Sequence, residues 1–445
     1  MYRTVVPAGR KWISHAALGI ALTMGIVGSA TFAPAPAFAA KKKDKAPKMQ
    51  FSKGFVAVAG PAQTAIDKLV AEDATAVGEA KTLLDQAFAA IEVEDDRFLA
   101  GTLAVNLGSK LRDSALQRRG IKAMLASGKS DPAMAPRFNS IAGQLAYQAG
   151  DYAEAQSYLG KAIELGFTEN NTEAILAEAY IAENKLSQGL ATLVGAIERA
   201  KASGSEAPQV WHRRGLFTAY KAGMVKETAD FAVLLVRDHP VKENWGAGAT
   251  ILREIGNFSS QETLDLMRLM GRTNSYAEER DFVEYIQAAD PRRLPGEVLE
   301  VLNAGIASGM LSANDTFVSD SKKQAEGRMA GDKASLPSYA ADARKPGASL
   351  ATVTGAADAL LSYGESADAE KLYSLALGKP GVDNDQVLTR LGIAQVGQGK
   401  YAEAQATFGK VTGKRQPIAR LWAQYAAGKA APATQPVAEA AAAAE

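Results

Sequence analysis

The stretch "AGDYAEAQSYLGKAIELG" at 149–166 returns as "QGKYAEAQATFGKVTG" at 398–413, so that "YAEAQ" stands at 152–156 and again at 401–405. Ahead of the first copy, Phe138, Ile141, Ala142, Leu145 and Ala149 fall at helical spacing and predict one apolar stripe. Behind it, Ala155, Leu159, Ala162 and Ile163 predict a second stripe. Gly150 is placed to stop the first helix, and Asp151 to cap the next by accepting a free backbone N–H. Each copy therefore reads as helix, tight turn, helix.

The same hairpin recurs with a fixed period. Ala155 corresponds to Gly189, 34 residues on; Trp211 and Trp245 are also 34 apart, and Ala369 and Ala404 are 35 apart. Small residues keep phase with it. Gly143, Ala177, Gly215, Ala357 and Gly392 fall where a first helix must lie close to its partner, and Ala155, Gly189, Ala369 and Ala404 do so on the second helix. A glycine inside a helix costs ~1 kcal/mol against alanine, so it persists where close packing compensates.

Period and residues together resemble the tetratricopeptide repeat family. The best copy runs Leu388-x2-Leu391-Gly392, Gly399-Lys400-Tyr401 and Ala404-x3-Phe408. "TEAILAEAYIAENKL" gives Leu176-Ala177-x2-Tyr180, and "YGESADAEKLYSLALGKP" gives Ala369-x3-Tyr373. The resemblance implies an all-α fold, an α-solenoid of helix-turn-helix repeats, here in a larger and a smaller block. No such hairpin buries its apolar face alone, so neighbours bury one another. Recurrence of "YAEAQ" then reports architecture. More loosely, "HPVKENWGAGATILREIG", "LDLMRLMGRTNSY" and "LPGEVLEVLNAGIASGML" resemble repeats of periplasmic tetratricopeptide proteins that accompany TonB-type energy-transduction systems.

The organisation expected along the chain is a signal peptide at 1–39 and a basic flexible extension at 40–60. Degenerate N-terminal helices follow at 61–136 and a repeat block at 137–311. A polar connection at 312–349, containing about one helix, leads to a C-terminal repeat block at 350–427 and an Ala/Pro-rich disordered tail at 428–445. Arg3, Arg10 and Lys11 precede the apolar run "AALGIALTMGIVGSATFA", and Ala37-Phe38-Ala39 supplies a small-x-small cleavage triplet. This predicts export to the periplasm of a Gram-negative bacterium. The alternative is an uncleaved inner-membrane anchor, which the lysines at 41, 42, 43 and 45 keep open. With no cysteine in the chain, neither a lipoprotein attachment nor a disulfide is available.

Removal of 1–39 takes away three positive charges and no negative one, moving the net charge from +1 to −2. A balanced chain argues against nucleic-acid partners, which select a positive surface. Chemistry-bearing motifs are sparse. His212 and His239 are a hairpin apart in sequence and form no HExxH pattern, so no metal site is expected. "ASGKSD" at 126–131 has Ala123 where a phosphate loop needs glycine, and reads as a helix-ending Gly128. Glu94, Asp95 and Asp96 open a helix, where negative charge is favoured. No nucleophile elbow occurs, and neither catalysis nor a cofactor is expected.

Family resemblance also implies a partner-binding groove lined by first helices. It would present Arg137, Gln144 and Tyr147 from one repeat, Asn171 and Glu178 from the next, His212 and Arg213 from a third, and Thr389 and Arg390 from the C-terminal block. The set is mixed in charge and lacks the Lys/Asn/Arg constellation by which some members clamp a terminal carboxylate. The expected partner is an envelope protein. A glycan-facing accessory of cell-wall remodelling is the alternative.

Overall fold

The computed structural model describes residues 49–169 and 171–430. The expected signal peptide, residues 40–48 of the basic extension and the residues beyond Ala430 lie outside the described residues. Among the described residues there is no strand, and no helix is long and apolar enough to cross a membrane. Helices follow one another in antiparallel pairs, and the described chain divides after Ala179 into two compact units.

The first unit contains α1 (Lys53–Lys68), α2 (Ala74–Ala89), α3 (Glu94–Leu111), α4 (Ser114–Ala126), α5 (Ala135–Gln148) and α6 (Tyr152–Glu164), and the unit boundary falls within α7 (Thr172–Ala182). The pairs α1/α2, α3/α4 and α5/α6 form because each sequence carries an apolar stripe that its partner covers. Phe55, Ile66, Leu84, Leu103 and Leu107 are fully buried in the core of α1–α3. Each such side chain contributes ~1.5–3 kcal/mol by leaving water.

At the quoted hairpin the reading holds except at Ala149, which is exposed, and Ile163, which is half-buried. Phe138, Ile141, Ala142 and Leu145 are buried on α5, while Ala149 is its exposed C-cap. Gly150 takes φ +79°, a region open to glycine, and the Asp151 carboxylate accepts the Glu154 N–H at 3.2 Å. In the second copy Lys400 stands in the capping position without a side-chain cap, and the helix after it is only 8 residues long.

The basic extension expected at 40–60 is corrected from residue 49 onward. Gln50 N–H donates to Asp95 (2.7 Å), and Ser52 donates to Asp96 through both its N–H and its hydroxyl (3.0 and 2.8 Å). The acids that open α3 thus also anchor the start of α1. Lys129, from "ASGKSD", pairs with Asp95 at 3.0 Å, and Gly128 ends α4 with φ +63°.

The second unit continues with α8 (Leu186–Ala202), α9 (Gln209–Lys221), α10 (Val225–Asp238), α11 (Lys242–Ile255), α12 (Ser260–Arg272), α13 (Glu279–Ala289) and α14 (Pro295–Ala307). Then come α15 (Thr316–Ala343), α16 (Leu350–Ser362), α17 (Ser366–Leu377), α18 (Asn384–Gly397), α19 (Tyr401–Phe408) and α20 (Gln416–Ala430). Small residues sit at pair contacts as expected. A Cβ on Gly215 would overlap the Phe231 ring, and one on Gly392 the Phe408 ring. Ala155, Ala177, Ala357, Ala369 and Ala404 have no exposed surface.

The expected connection holds its one helix, and the expected tail is helical at its start. The polar connection at 312–349 is mostly one 28-residue helix, α15, whose Val318, Ala325, Leu336, Ala340 and Ala343 are buried between neighbours. Its outer surface is polar, with Gly327, Gly331 and Pro337 inside the helix, so the apolar stripe is thin and easily missed. Residues 428–430, expected in the tail, belong to α20.

Nor does the chain separate at 312–349. Residues 350–430 belong to the same compact unit as 180–311, because α20 packs back on α10 and α12.

Candidate partner-binding surface

Four of the nine expected groove residues face the interior instead. Gln144 is buried and donates to the Ser140 hydroxyl at 3.0 Å, which lies 2.8 Å from the Thr172 hydroxyl. Thr389 is buried and donates to the Asp385 carbonyl one turn back (2.6 Å). His212 and Arg390 have 0 % and 1 % of their surface exposed. A polar residue on a first helix was expected in water, but its neighbours supply bonding partners that make burial tolerable.

His212 lies inside the α9/α10 pair. Its Nε2 is 2.9 Å from Asp238 Oδ2, and its Nδ1 is 3.2 Å from the Pro208 carbonyl. The His239 ring stands edge-on to it, centroids 4.9 Å apart, with Nε2 3.0 Å from the Ala207 carbonyl and Nδ1 3.1 Å from Glu206. Burial pushes His212 below its ordinary value of 6.5, against the opposing pull of Asp238. Burial alone would raise Asp238, but hydrogen bonds from Arg237 and His212 outweigh it and hold the carboxyl far below the usual range.

Arg390 belongs to a buried ionic cluster that the sequence reading missed. Its guanidinium reaches Asp265 (3.2 Å), Asp358 (2.6 Å) and the Gln261 side chain (2.7 Å). Asp265 also receives Arg268 at 3.2 Å and Arg415, and its carbonyl accepts the Trp422 indole N–H at 2.8 Å. Arg268 makes two 2.7 Å bonds to Glu297, which accepts the Tyr285 hydroxyl as well. Three carboxylates thus meet three guanidinium groups. Burial would lift Asp265, yet the guanidinium groups of Arg390, Arg415 and Arg268 keep it below the ordinary carboxylate value.

The other five candidates lie at or near the surface. In the first unit Arg137 is exposed on α5, and Tyr147 is half-buried with its ring 5.5 Å from that of Tyr152. Asn171 is exposed with φ +58° just before α7, and Glu178 is half-buried on that helix. In the second unit half-buried Arg213 donates to Asn244 at 2.7 Å.

Sequence reasoning overlooked two residues beside Arg213. Val210 and Phe217, two helical turns apart on α9, are 41 % and 42 % exposed. Helical geometry puts them on one face, flanked by Arg213 and Arg214. An aromatic anchor beside arginine is the composition of energetic centres in protein interfaces. The available signal was the spacing itself: both occupy the face of α9 opposite Gly215 and Leu216. Among the described residues, no three His, Cys, Asp or Glu are placed to share a metal ion.

No family model matches this chain, and no curated protein does. Among solved structures it is similar to the TPR2AB domain of yeast Sti1 in complex with pHSP90, at 17 % identity over 67 % of this chain and 96 % of that one, with a TM-score of 0.24. It is also similar to the TPR domain of P58(IPK), at 14 % identity, 83 % and 98 % coverage and a TM-score of 0.21. A pentatricopeptide repeat protein, PPR10, bound to an RNA element matches at 12 % identity, 84 % and 64 % coverage and a TM-score of 0.24. Superposition this loose carries no argument about function. The fold class rests on the molecule's own features: all-α helices in consecutive pairs, a period near 34, and small residues where partners touch.

Proposed function

We propose that this chain is a non-catalytic adaptor that binds a protein partner through exposed first-helix faces. The observation that carries the reading is the division of labour among its polar groups. His212, Asp238, Asp265, Arg268, Arg390 and Glu297 are taken up in bonds that hold helix to helix. Val210 and Phe217 on α9 and Arg137 on α5 remain exposed, with Arg213 and Tyr147 half-buried beside them.

The partner in this reading is an envelope protein, met in the periplasm after cleavage behind Ala39, in a setting linked to TonB-type energy transduction. The basic, apolar and small-residue sequence of 1–39 supports export. Mass spectrometry of the mature N-terminus tests it: a new N-terminus at residue 40 is expected, and retained Met1 in the membrane fraction would establish an anchor instead.

Binding is tested separately on the two units. One variant carries Arg137→Ala and Tyr147→Ala, a second Arg213→Ala and Phe217→Ala, each first shown by circular dichroism to remain helical. Affinity capture from solubilised envelopes should lose its specific partner in at least one. Unchanged capture by both, at equal protein levels, rejects these faces as the binding surface.

A further inference from the structure

The junction of α1 and α3 leaves large apolar side chains in water. Met49, Phe51 and Val56 are 47 %, 37 % and 54 % exposed, and Val93, the residue before α3, is 43 % exposed. Hydrogen bonds hold them together: Gln50 donates to Asp95 and Ser52 to Asp96, which also accepts the Val93 N–H at 3.2 Å. Phe51 and Val56 flank the Ser52 cap at the spacing of a hydrophobic staple, and the Phe51 ring stacks on buried Phe55, centroids 6.1 Å apart. The staple orders these side chains without covering them. The outer face of α1 extends the patch, because Ala57, Gly60 and Pro61 are exposed there and no charged residue stands between Lys53 and Asp67. A helix face that meets only water is ordinarily polar.

The charge around this patch has one sign. Residues 41–48 read "KKKDKAPK", five lysines and one acid, and lead straight into Met49. Covalent reach of ~3.5 Å per residue keeps Lys45 and Lys48 within about 15 Å of Met49. Lys53 adds an exposed cation one helical turn from Val56 and Ala57. The acids of the junction are mostly engaged: Asp95 and Asp96 are buried in the bonds above, and Glu94 pairs with Arg97 at 2.9 Å. Asp44 and Glu92 remain against six lysines.

This composition selects among occupants. Protein hot spots favour Trp, Tyr and Arg, none of which the patch contains. A second copy would set lysine against lysine. Apolar side chains entering from a run of lysines match a bilayer, whose boundary accepts the first and whose anionic headgroups attract the second.

We propose that the α1/α3 junction docks on a bilayer surface carrying anionic headgroups, with Met49, Phe51 and Val56 entering the headgroup–acyl boundary and the lysines of 41–48 facing the phosphates. Docking is peripheral, since no helix among the described residues is long and apolar enough to cross a membrane. It is independent of the faces of α5 and α9 proposed to bind a protein. It rests on the export reading only in that cleavage behind Ala39 leaves the lysine run without the apolar stretch before it, and the mature N-terminus tests that step separately.

The test is flotation of residues 40–445, which retain every described residue, with phosphatidylcholine vesicles containing or lacking phosphatidylglycerol. Binding is expected to the anionic vesicles only, weakening about fivefold for each lysine at the surface that is changed to glutamine. A variant with Met49→Ser, Phe51→Ser and Val56→Ser, shown by circular dichroism to remain helical, should partition about tenfold less or weaker still. In Phe51→Trp the added emission should be quenched by lipids brominated on their acyl chains. Equal binding to neutral vesicles, or none to either, overturns the proposal. Adsorption to anionic vesicles without quenching of Phe51→Trp overturns it too, because any polyanion would then serve. A dimer in sedimentation that the triple serine variant dissociates would assign the patch to a second copy instead.

Discussion

Arg390 and Asp265 stand 125 positions apart in the chain and meet in the interior of residues 180–430, Nε to Oδ1 at 3.2 Å. Both are buried, and each has further charged partners. Removing one member of a buried ionic set leaves the others desolvated and uncompensated, which typically costs ~3–5 kcal/mol. Arg390→Ala and Asp265→Asn should each lower the unfolding free energy of the unit, read from urea titration, by an amount of this order. A loss below ~1 kcal/mol, the scale of surface pairs, would show that water reaches the cluster.

Acid should destabilise the fold in two stages. His212 is held below its ordinary 6.5 by burial, so the unfolded chain takes up a proton first, and stability falls as pH drops below about 6.5. Asp238 and Asp265 are held below 3.8, so their contribution is complete above that value and is lost as pH falls through and beneath it. Urea midpoints measured against pH should show both stages. His212→Gln should flatten the first while leaving the second.

The close pair contacts make small residues irreplaceable. Gly215→Ala and Gly392→Ala force the Phe231 and Phe408 rings to move, and Ala404→Phe inserts a ring where no surface is exposed. Overpacking of this kind typically costs ~1–3 kcal/mol. Because Arg390, Arg415 and Trp422 tie the last helices to α12, Ala404→Phe should reduce hydrogen-exchange protection in α10–α12 as well as in α18–α20. Loss confined to 350–427 would mean that the C-terminal hairpins unfold on their own.

Asp151 both caps α6 and pairs with Arg118. Asp151→Ala should destabilise by ~1 kcal/mol, most of it from the lost cap, since the side chain is substantially exposed. Asp151→Asn, which keeps the cap and drops the charge, should recover the greater part. Equal losses in the two variants would assign the effect to the ion pair.

Local features of the chain were readable because they are written locally. Gly150 and Asp151 specify a turn within four residues, and Gly392 opposite Phe408 repeats what Gly215 does opposite Phe231. Contacts between distant segments carry no such mark. Asp265 and Arg268 look in sequence like an ordinary exposed i,i+3 pair on a helix, and nothing near them announces Arg390 or Arg415. For the same reason Gln144, Thr389 and Arg390 seemed to belong to a wet groove. A polar residue at helical spacing shows which face it occupies on its own helix, but not what covers that face. Val210 and Phe217 were missed in the opposite direction, because apolar residues are assumed to be inside.

The return of α20 to α10 and α12 also bears on how such a chain can change in length. An array with an unoccupied end can gain or lose a hairpin by duplication or deletion, since the new pair only has to match one neighbour. Here an extra pair inserted between α12 and α18 would carry Trp422 away from the Asp265 carbonyl and Arg420 away from Asp230, which it now meets at 2.5 Å. Between residues 180 and 430 the number of hairpins is therefore set by the circuit they complete, as the number of staves is set in a barrel.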